Sequence, residues 1–252
     1  MHHGNSRSSS IPDGIRLYAV GDIHGRLDLL TQLLAMIGEM ESISPADRAI
    51  LVFLGDYIDR GSDSRGVIEL LRKGLPERFE PVFLRGNHEE MMLQTLQSPE
   101  YFDFWALNGG IATARSYGLD IAQDTPVRDL DSVAICRELT ETVPQSHKDF
   151  VQALPIKAEA GDYLFVHAGV RPGVPIEAQT DRDCLLIRNE FLTYQGDFGK
   201  VIVHGHTPVP EPESLHNRIG IDTGAFHTGR LTAVCLEERS RRFISTGSGG
   251  SV

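Results

Sequence analysis

The sequence is poor in cysteine and has no long hydrophobic run. Its three cysteines, Cys136, Cys184 and Cys235, are widely spaced and form no CxxC pair, which argues against a disulfide framework and for a reducing compartment. No apolar segment approaches the ~20 residues that cross a bilayer, and the polar start lacks the apolar core of a secretory signal. We therefore expect a cytoplasmic protein with no membrane partner.

Basic charge is also scarce relative to acidic charge. The chain has 35 acidic and 24 basic residues, and its formal net charge is −11. A general nucleic-acid binder needs a basic footprint, so no nucleic-acid partner is expected. An anionic substrate would have to be attracted by a local group of positive charges, because the field of the whole molecule repels it.

The rest of the composition is that of a globular protein, with 40% hydrophobic and 23% charged residues in a chain of 252. The polar start predicts a flexible leader over 1–14, and the glycine- and serine-rich end predicts a flexible tail over 246–252. Between them we expect one domain over 15–245 that contains a helical insert over 100–155. Nothing in the sequence points to a particular oligomeric state.

The first part of the chain repeats one pattern, in which a short apolar strand leads through a polar, glycine-bounded segment into a helix. The predicted strands cover 15–20, 49–54 and 81–84, and the predicted helices cover 26–38, 64–74 and 88–97. The polar segments recur roughly every 30 residues, which is the length of a strand–helix unit. Open α/β sheets bind ligands at the carboxyl ends of their strands, so we expect these segments to meet there.

Five polar segments share this form of an apolar strand followed by polar residues beside glycine. They are GDIHG (21–25), GDYIDRG (55–61), GNHE (86–89), HAG (167–169) and HGH (204–206). Taken singly, GDIHG is typical of a polar turn, GNHE of a helix N-cap and HAG of a strand end. Their candidate ligands are Asp22, His24, Asp56, Asp59, Asn87, His88, His167, His204 and His206. Mixed Asp, His and Asn ligands favour Mn, Fe or Zn over Ca or Mg, and the set suffices for two ions if one carboxylate bridges them.

These five segments, in this order, resemble the metallophosphoesterase superfamily. More narrowly, they resemble its phosphoprotein phosphatase family of serine/threonine phosphatases, in the bacterial and phage lambda type. GDIHG, GDYIDRG and GNHEE match the first three family signatures, and FVHAG and VHGHTP are similar to the last two. The resemblance implies an α/β fold, namely a four-layer α/β/β/α sandwich of two mixed β-sheets flanked by helices, with the site at the strand ends.

The resemblance also implies a dinuclear metal centre. Asp22 and His24 would hold the first ion, and Asp56 would bridge both. The residues that would complete the second ion's site are Asn87, His167 and His206, whereas His204 would be a packing residue. The expected cofactor is a pair of divalent metal ions, with Mn²⁺ as the first choice and Fe or Zn as alternatives.

The remaining roles implied by the resemblance concern the substrate. His88 would be the general acid, oriented by Asp59, and Arg60 would bind phosphate. The segment LLIRNEFL (185–192) is similar to the family segment that supplies a second arginine, which nominates Arg188. The implied reaction is hydrolysis of phosphoserine or phosphothreonine by direct attack of a metal-bridging hydroxide, and the substrate would be a phosphorylated protein or a small phosphoester.

Two other functions stay open at this point. A symmetrical diadenosine-tetraphosphate hydrolase uses closely similar motifs and would stack nucleosides on aromatic rings, for which the candidates are Tyr101, Phe102, Phe104 and Trp105. A non-catalytic scaffold would have degraded ligands, whereas all of them are intact here. Nuclease branches of the superfamily end in GHxH, and Pro208 occupies the last position of that signature here, which favours the phosphatase branch.

Overall fold

The computed structural model describes residues 9–247, which contain ten strands and ten α-helices. The strands are β1 (Ile15–Val20), β2 (Arg48–Phe53), β3 (Phe79–Phe83), β4 (Lys157–Ala160), β5 (Tyr163–Val166), β6 (Val201–His204), β7 (Glu213–Ser214), β8 (Arg218–Gly220), β9 (Thr232–Glu237) and β10 (Ser240–Ser245). They form two five-stranded mixed sheets, ordered β10-β9-β1-β2-β3 and β4-β5-β6-β8-β7. In the first sheet β1, β2 and β3 are parallel, and in the second β5, β6 and β8 are parallel.

Helices cover the outer faces of both sheets. They are α1 (Leu27–Ile43), α2 (Ser64–Lys73), α3 (Asn87–Gln97), α4 (Phe102–Trp105), α5 (Ile111–Ser116), α6 (Ser132–Thr142), α7 (Gln145–Gln152), α8 (Asp181–Leu186), α9 (Asn189–Leu192) and α10 (Ala225–Thr228). Short 3₁₀ turns occupy Pro99–Tyr101, Val127–Asp129 and Ile176–Ala178, and the segment Ala106–Gly110 joins α4 to α5 through a kink at Gly109. Within residues 9–247, no helix combines the length and the apolar character needed to cross a membrane.

The two-residue alternation of β1 shows how the layers are held together. Leu17 and Ala19 point into the core between the two sheets, which β5 supplies with Tyr163. Tyr18 and Val20 point the other way, into the larger core under α1 to α7. A third core packs α8 and α9 against the far face of the second sheet. This layering is the expected α/β/β/α sandwich, so the predicted fold class is confirmed.

The helix boundaries differ from the sequence prediction at one glycine and agree at another. α1 does not end at Gly38 but continues to Ile43. A glycine inside a helix costs about 1 kcal/mol, and the buried contacts of Ile37 and Glu41 on the same helix offset that cost. Gly74 does end α2, and its N–H donates to the carbonyl of Leu70.

Short parts of the predicted leader and tail lie within the described residues. Ile11 is buried between the sheets and its N–H donates to the carbonyl of Glu238. Thr246 is buried as well, and its N–H donates to the carbonyl of Leu231. These short segments are packed because they add apolar contact and ladder hydrogen bonds to a sheet edge. The rest of both predictions, residues 1–8 and 248–252, lies outside the described residues.

The parallel strands bring the five polar segments to one edge of the molecule. GDIHG follows β1, GDYIDRG follows β2 and GNHE follows β3, where it opens α3. HAG follows β5, and HGH lies at the end of β6. Because β1 to β3 and β5 to β6 run parallel within their sheets, the carboxyl ends of both sets face a common space.

Candidate metal centre

Two groups of metal-ligating side chains lie at this edge, and Asp56 belongs to both. Ligand atoms of His24, Asp56 and His88 lie within 4.8 Å of one another, as do those of Asp56, His167 and His206. Nε2 of His24 is 3.5 Å from Oδ2 of Asp56, and Nε2 of His167 is 3.4 Å from Oδ1. Asp56 therefore directs one carboxylate oxygen toward each group, which is the arrangement a bridging carboxylate requires.

The hydrogen bonds of two imidazoles define which ring nitrogen carries the lone pair. Nδ1 of His24 lies 2.8 Å from the carbonyl of Ile58, and Nδ1 of His167 lies 3.0 Å from the carbonyl of Leu54. A carbonyl only accepts, so each Nδ1 donates its proton and each Nε2 has a lone pair. Burial lowers the pKa of His24 to about 3 and lowers that of His167, which keeps both rings neutral.

In the second cluster, several acceptor atoms lie close together with no hydrogen-bond donor between them. Nε2 of His167 is 2.9 Å from Oδ1 of Asn87, although both atoms are acceptors in this tautomer. Nε2 of His206 is buried and has no hydrogen-bond partner, and burial together with His167 lowers the pKa of His206 to about 2. Buried acceptors that face one another are satisfied by a cation, so this donor set fits a divalent metal.

Asp22 belongs to neither cluster among the described residues, although it borders both. Its two carboxylate oxygens accept the backbone N–H of His206, at 3.2 and 3.0 Å. Burial, followed by the charges of Asp222 and Asp56, raises the pKa of Asp22 well above its usual range. This concentration of buried negative charge also favours a cation nearby.

Asp222 was not among the predicted site residues. It is buried, and burial raises its pKa to about 6. A local signal was present, because the segment IDTG after β8 repeats the pattern of a strand followed by aspartate near glycine. Unlike four of the five polar segments with candidate ligands, this one contains no second ligand-type side chain, so its sequence signal is weaker.

Backbone strain is concentrated in the same loops. Among residues 9–247, six non-glycine residues have a positive φ, and five belong to the polar segments. These five are His24, Asp56, Asp59, Arg60 and His206, with φ between 47° and 73°. Such residues typically cost of order 1–3 kcal/mol each and persist where their surroundings hold them, commonly at functional sites.

Glu89, an acidic residue in the first turn of α3, is one such support. Its buried carboxylate accepts the N–H groups of Asp56 and Tyr57, both at 2.8 Å, and that of Gly86 at 2.9 Å. Burial and the charge of Asp56 raise the pKa of Glu89 to about 7. Glu89 thus joins the loop after β2 to the loop after β3.

His88, a member of the first cluster, forms a buried pair with Asp59. Nδ1 of His88 is 2.6 Å from Oδ2 of Asp59, and Nε2 is 3.8 Å from Oδ2 of Asp56. Burial opposes protonation of His88, but the charges of Asp56 and Asp59 outweigh it and raise its pKa. A donor at Nδ1 and a raised pKa are the properties of an imidazole that can hold a proton at Nε2.

The two predicted arginines act on different clusters. The guanidinium of Arg60 is within hydrogen-bond distance of Nε2 of His24, at 2.8 Å, and of Nε2 of His88, at 3.1 Å. Arg188 is exposed at the start of α9. Burial is the main cause of the low pKa values of His167 and His206, and the positive charge of Arg188 adds to it.

His204 lies apart from both clusters. It is buried, its Nδ1 is 3.1 Å from the carbonyl of Gly205, and its ring packs edge-on against Phe191. Among the four aromatic candidates for stacking, Phe102 and Trp105 are fully buried core residues, whereas Tyr101 and Phe104 are 46% and 64% exposed. The buried pair is therefore unavailable to stack on a nucleoside.

Residues 15–228 match the calcineurin-like phosphoesterase family, and the chain belongs to it. It is therefore a hydrolase of the metallophosphoesterase type, a class that uses divalent metals. The predicted superfamily and reaction class are confirmed. The relatives do not agree on a substrate, so the narrower assignment to serine/threonine phosphatases does not follow from them.

Two groups of relatives carry different activities in their names. The chain is 29% identical over 239 residues to the asymmetrical bis(5'-nucleosyl)-tetraphosphatase PrpE of Halalkalibacterium halodurans, covering 87% of this chain and 89% of that protein. It is also 29% identical over 226 residues to serine/threonine-protein phosphatase 2 of Salmonella typhimurium, covering 86% and 90%. A crystal structure assigned provisionally as a diadenosine tetraphosphatase shares the fold, with a TM-score of 0.63 and 20% identity over 93% of this chain and 95% of that one.

Proposed function

We propose that this protein is a dinuclear-metal phosphomonoesterase that hydrolyses phosphoserine or phosphothreonine esters. The observation that carries the proposal is the buried pair of His88 and Asp59 beside the shared carboxylate of Asp56. The alkoxide of serine or threonine is a poor leaving group and needs a proton. The phosphate group released when a phosphoanhydride is cleaved is a better leaving group and can depart without one. A built proton donor therefore favours an alkyl phosphoester as substrate.

In this proposal the six predicted metal ligands divide between two ions. Asp22, His24 and Asp56 contribute to the first, and Asp56 also contributes to the second. The second set is completed by Asn87, His167 and His206. Bound there, two divalent ions, Mn²⁺ in the first instance, would stabilise charge on the phosphoryl oxygens and lower the pKa of water toward ~7.

The other residues act on the substrate directly. His88 donates a proton from Nε2 to the leaving oxygen, and Asp59 fixes the ring through Nδ1 and stabilises its charged form. Arg60 and Arg188 bind the phosphoryl oxygens, for which the planar guanidinium is well suited. They supply local positive charge in a protein whose formal net charge is −11.

A dinucleoside tetraphosphate hydrolase is the second candidate, and one exposed ring favours it. Phe226 is 38% exposed, and the guanidinium of Arg60 lies 5.0 Å from its ring centroid. An aromatic face beside a phosphate-binding arginine could stack on a nucleobase. The PrpE relative supports the same candidate through its name.

A side-by-side assay with Mn²⁺ separates the two candidates. The substrates are a phosphothreonine peptide, p-nitrophenyl phosphate and diadenosine tetraphosphate, and the measured quantity is kcat/KM. We expect the peptide to be preferred over the dinucleotide. A strong preference for the dinucleotide would overturn the proposal in favour of the second candidate. A His167→Ala preparation purified in parallel serves as the control for contaminating phosphatases.

A further inference from the structure

The helical insert reaches the carboxylate of Asp59 from outside the five polar segments. Nε1 of Trp105, the only tryptophan in the chain, donates to Oδ2 of Asp59 at 2.9 Å. That oxygen also receives Nδ1 of His88. The hydroxyl of Thr113 donates to the other oxygen, Oδ1, at 2.6 Å. Each carboxylate oxygen of Asp59 therefore has a donor from the insert.

The same threonine also holds the backbone of Asp59. The N–H of Asp59 donates to Oγ1 of Thr113 at 2.9 Å and to Oγ of Ser64 at 3.0 Å. Asp59, Trp105, Thr113 and Ser64 are all fully buried. A buried network in which every member has a partner fixes the orientation of its side chains, so Asp59 has little freedom to turn away from His88.

The backbone of the insert is shaped for this approach. The carbonyl of Gly109 accepts the N–H of Arg60 at 3.1 Å. Gly109 has φ 107°, and a Cβ there would approach the backbone of Arg60, while a Cβ on Gly110 would overlap the ring of Trp105. Both glycines lie in the segment Ala106–Gly110, where the non-helical backbone of Gly109 makes a kink between α4 and α5.

We propose that Trp105 and Thr113 are positioning residues for the leaving-group proton donor. They hold the carboxylate of Asp59 in one orientation, so that His88 keeps Nδ1 on Asp59 and directs Nε2 at the leaving oxygen. This inference rests on the proposed role of His88. It assigns the insert a part in catalysis that a core helix or a stacking surface would not have.

The test compares substrates that differ in their need for a proton. p-Nitrophenyl phosphate releases a good leaving group, whereas phenyl phosphate and a phosphothreonine peptide release poor ones. For Thr113→Val and Trp105→Phe we expect kcat on the two poor leaving groups to fall about 10- to 100-fold. We expect kcat on p-nitrophenyl phosphate to stay unchanged. A role in folding alone would lower all three together.

Two control variants accompany these substitutions. Thr113→Ser restores the hydroxyl and should recover most of the lost activity. Thr95→Val removes another fully buried hydroxyl, one without a hydrogen-bond partner, and should leave all three substrates unaffected. Thermal unfolding and bound metal are measured for every variant, so that a misfolded Trp105→Phe protein is recognised. In that case the result for Thr113→Val alone decides whether the positioning role stands.

His88→Asn separates failure of this inference from failure of the proposed function. If His88→Asn lowers kcat about 10²- to 10⁴-fold on the poor leaving groups only, the acid role stands. In that case, equal losses on all substrates in Thr113→Val and Trp105→Phe, or no loss in either, would overturn the positioning role alone. If His88→Asn does not discriminate between leaving groups, the acid role itself is wrong.

Discussion

The two sides of the site are built by different parts of the chain. The proposed metal ligands come from loops that directly follow strands, such as Asp56 after β2 and His167 after β5. The proposed proton-donating side also involves the helical insert, from which Trp105 and Thr113 donate hydrogen bonds to Asp59. The comparison shows that short local segments can supply ligands, while the orientation of a catalytic group depends on residues far away in sequence.

Loss of a metal ligand should have the largest effect and should be indifferent to the leaving group. For His167→Ala we expect reduced bound metal and a fall of more than about 100-fold in turnover on every substrate, because even outer-shell partners of a metal contribute 10- to 100-fold. Turnover and elemental analysis are the measurements. His216→Ala removes an exposed histidine and is the matched control. Full metal content with normal turnover in His167→Ala would remove His167 from the ligand set.

A change at Arg60 should be smaller and should affect binding more than turnover. Arg60→Lys keeps the positive charge but loses the planar fork that suits two phosphoryl oxygens. We expect KM to rise about tenfold on all substrates, which corresponds to about 1.4 kcal/mol. Steady-state kinetics at saturating Mn²⁺ provide the measurement. An unchanged KM would show that Arg60 does not bind the phosphate.

A buried charge cluster around Glu41, outside the site, should affect stability without changing either side of the site. Glu41 is buried, with its carboxylate 2.8 Å from Arg16, 2.9 Å from Arg78 and 2.7 Å from the hydroxyl of Tyr18. For Glu41→Gln we expect the free energy of unfolding to fall by about 3 kcal/mol, because the buried Arg16 loses one of its two carboxylate partners and Arg78 loses its buried partner. Activity per folded molecule should not change. Urea unfolding measures the effect, and Glu39→Gln on the exposed face of α1 is the control.

The pKa of Glu41 predicts how the difference in unfolding free energy between wild type and Glu41→Gln depends on pH. Burial alone would raise the pKa of Glu41, but the hydrogen bonds from Tyr18, the N–H of Ala46 and Arg16 outweigh it, and the pKa is lowered. Because the folded pKa lies below the unfolded one, the stabilisation is fully present above the unfolded pKa. It is lost as the pH falls through the folded pKa. The gap between wild type and Glu41→Gln should therefore narrow in acid, and a gap that widens would contradict this assignment.

The clustering of the proposed metal ligands could be predicted because its signals are local. Each ligand loop, such as GDIHG, lies within a few residues of an apolar strand, and parallel strands bring such loops to one edge. Asp222 carries a similar but weaker signal in IDTG, which contains no second ligand-type side chain. Glu89 resembles an ordinary helix-start acid in sequence, although it holds two loops together.

The proton-donating side could not be predicted in this way. Nothing near Asp59 in sequence indicates that Trp105 and Thr113 will reach it, because their contacts depend on how the insert packs. Trp105 was considered as a stacking residue, but its ring is fully buried and its N–H is directed at Asp59. Gly38 likewise was expected to end a helix that tertiary contacts carry further.

The central claim is that the carboxylate of Asp56 joins two metal sites, and metal stoichiometry tests it most directly. Wild type and Asp56→Asn are loaded with Mn²⁺, passed through a desalting column and analysed for bound metal, with Asp103→Asn as an exposed control. We predict two ions per wild-type and control chain, and loss of both in Asp56→Asn. Two ions retained by Asp56→Asn would contradict the claim.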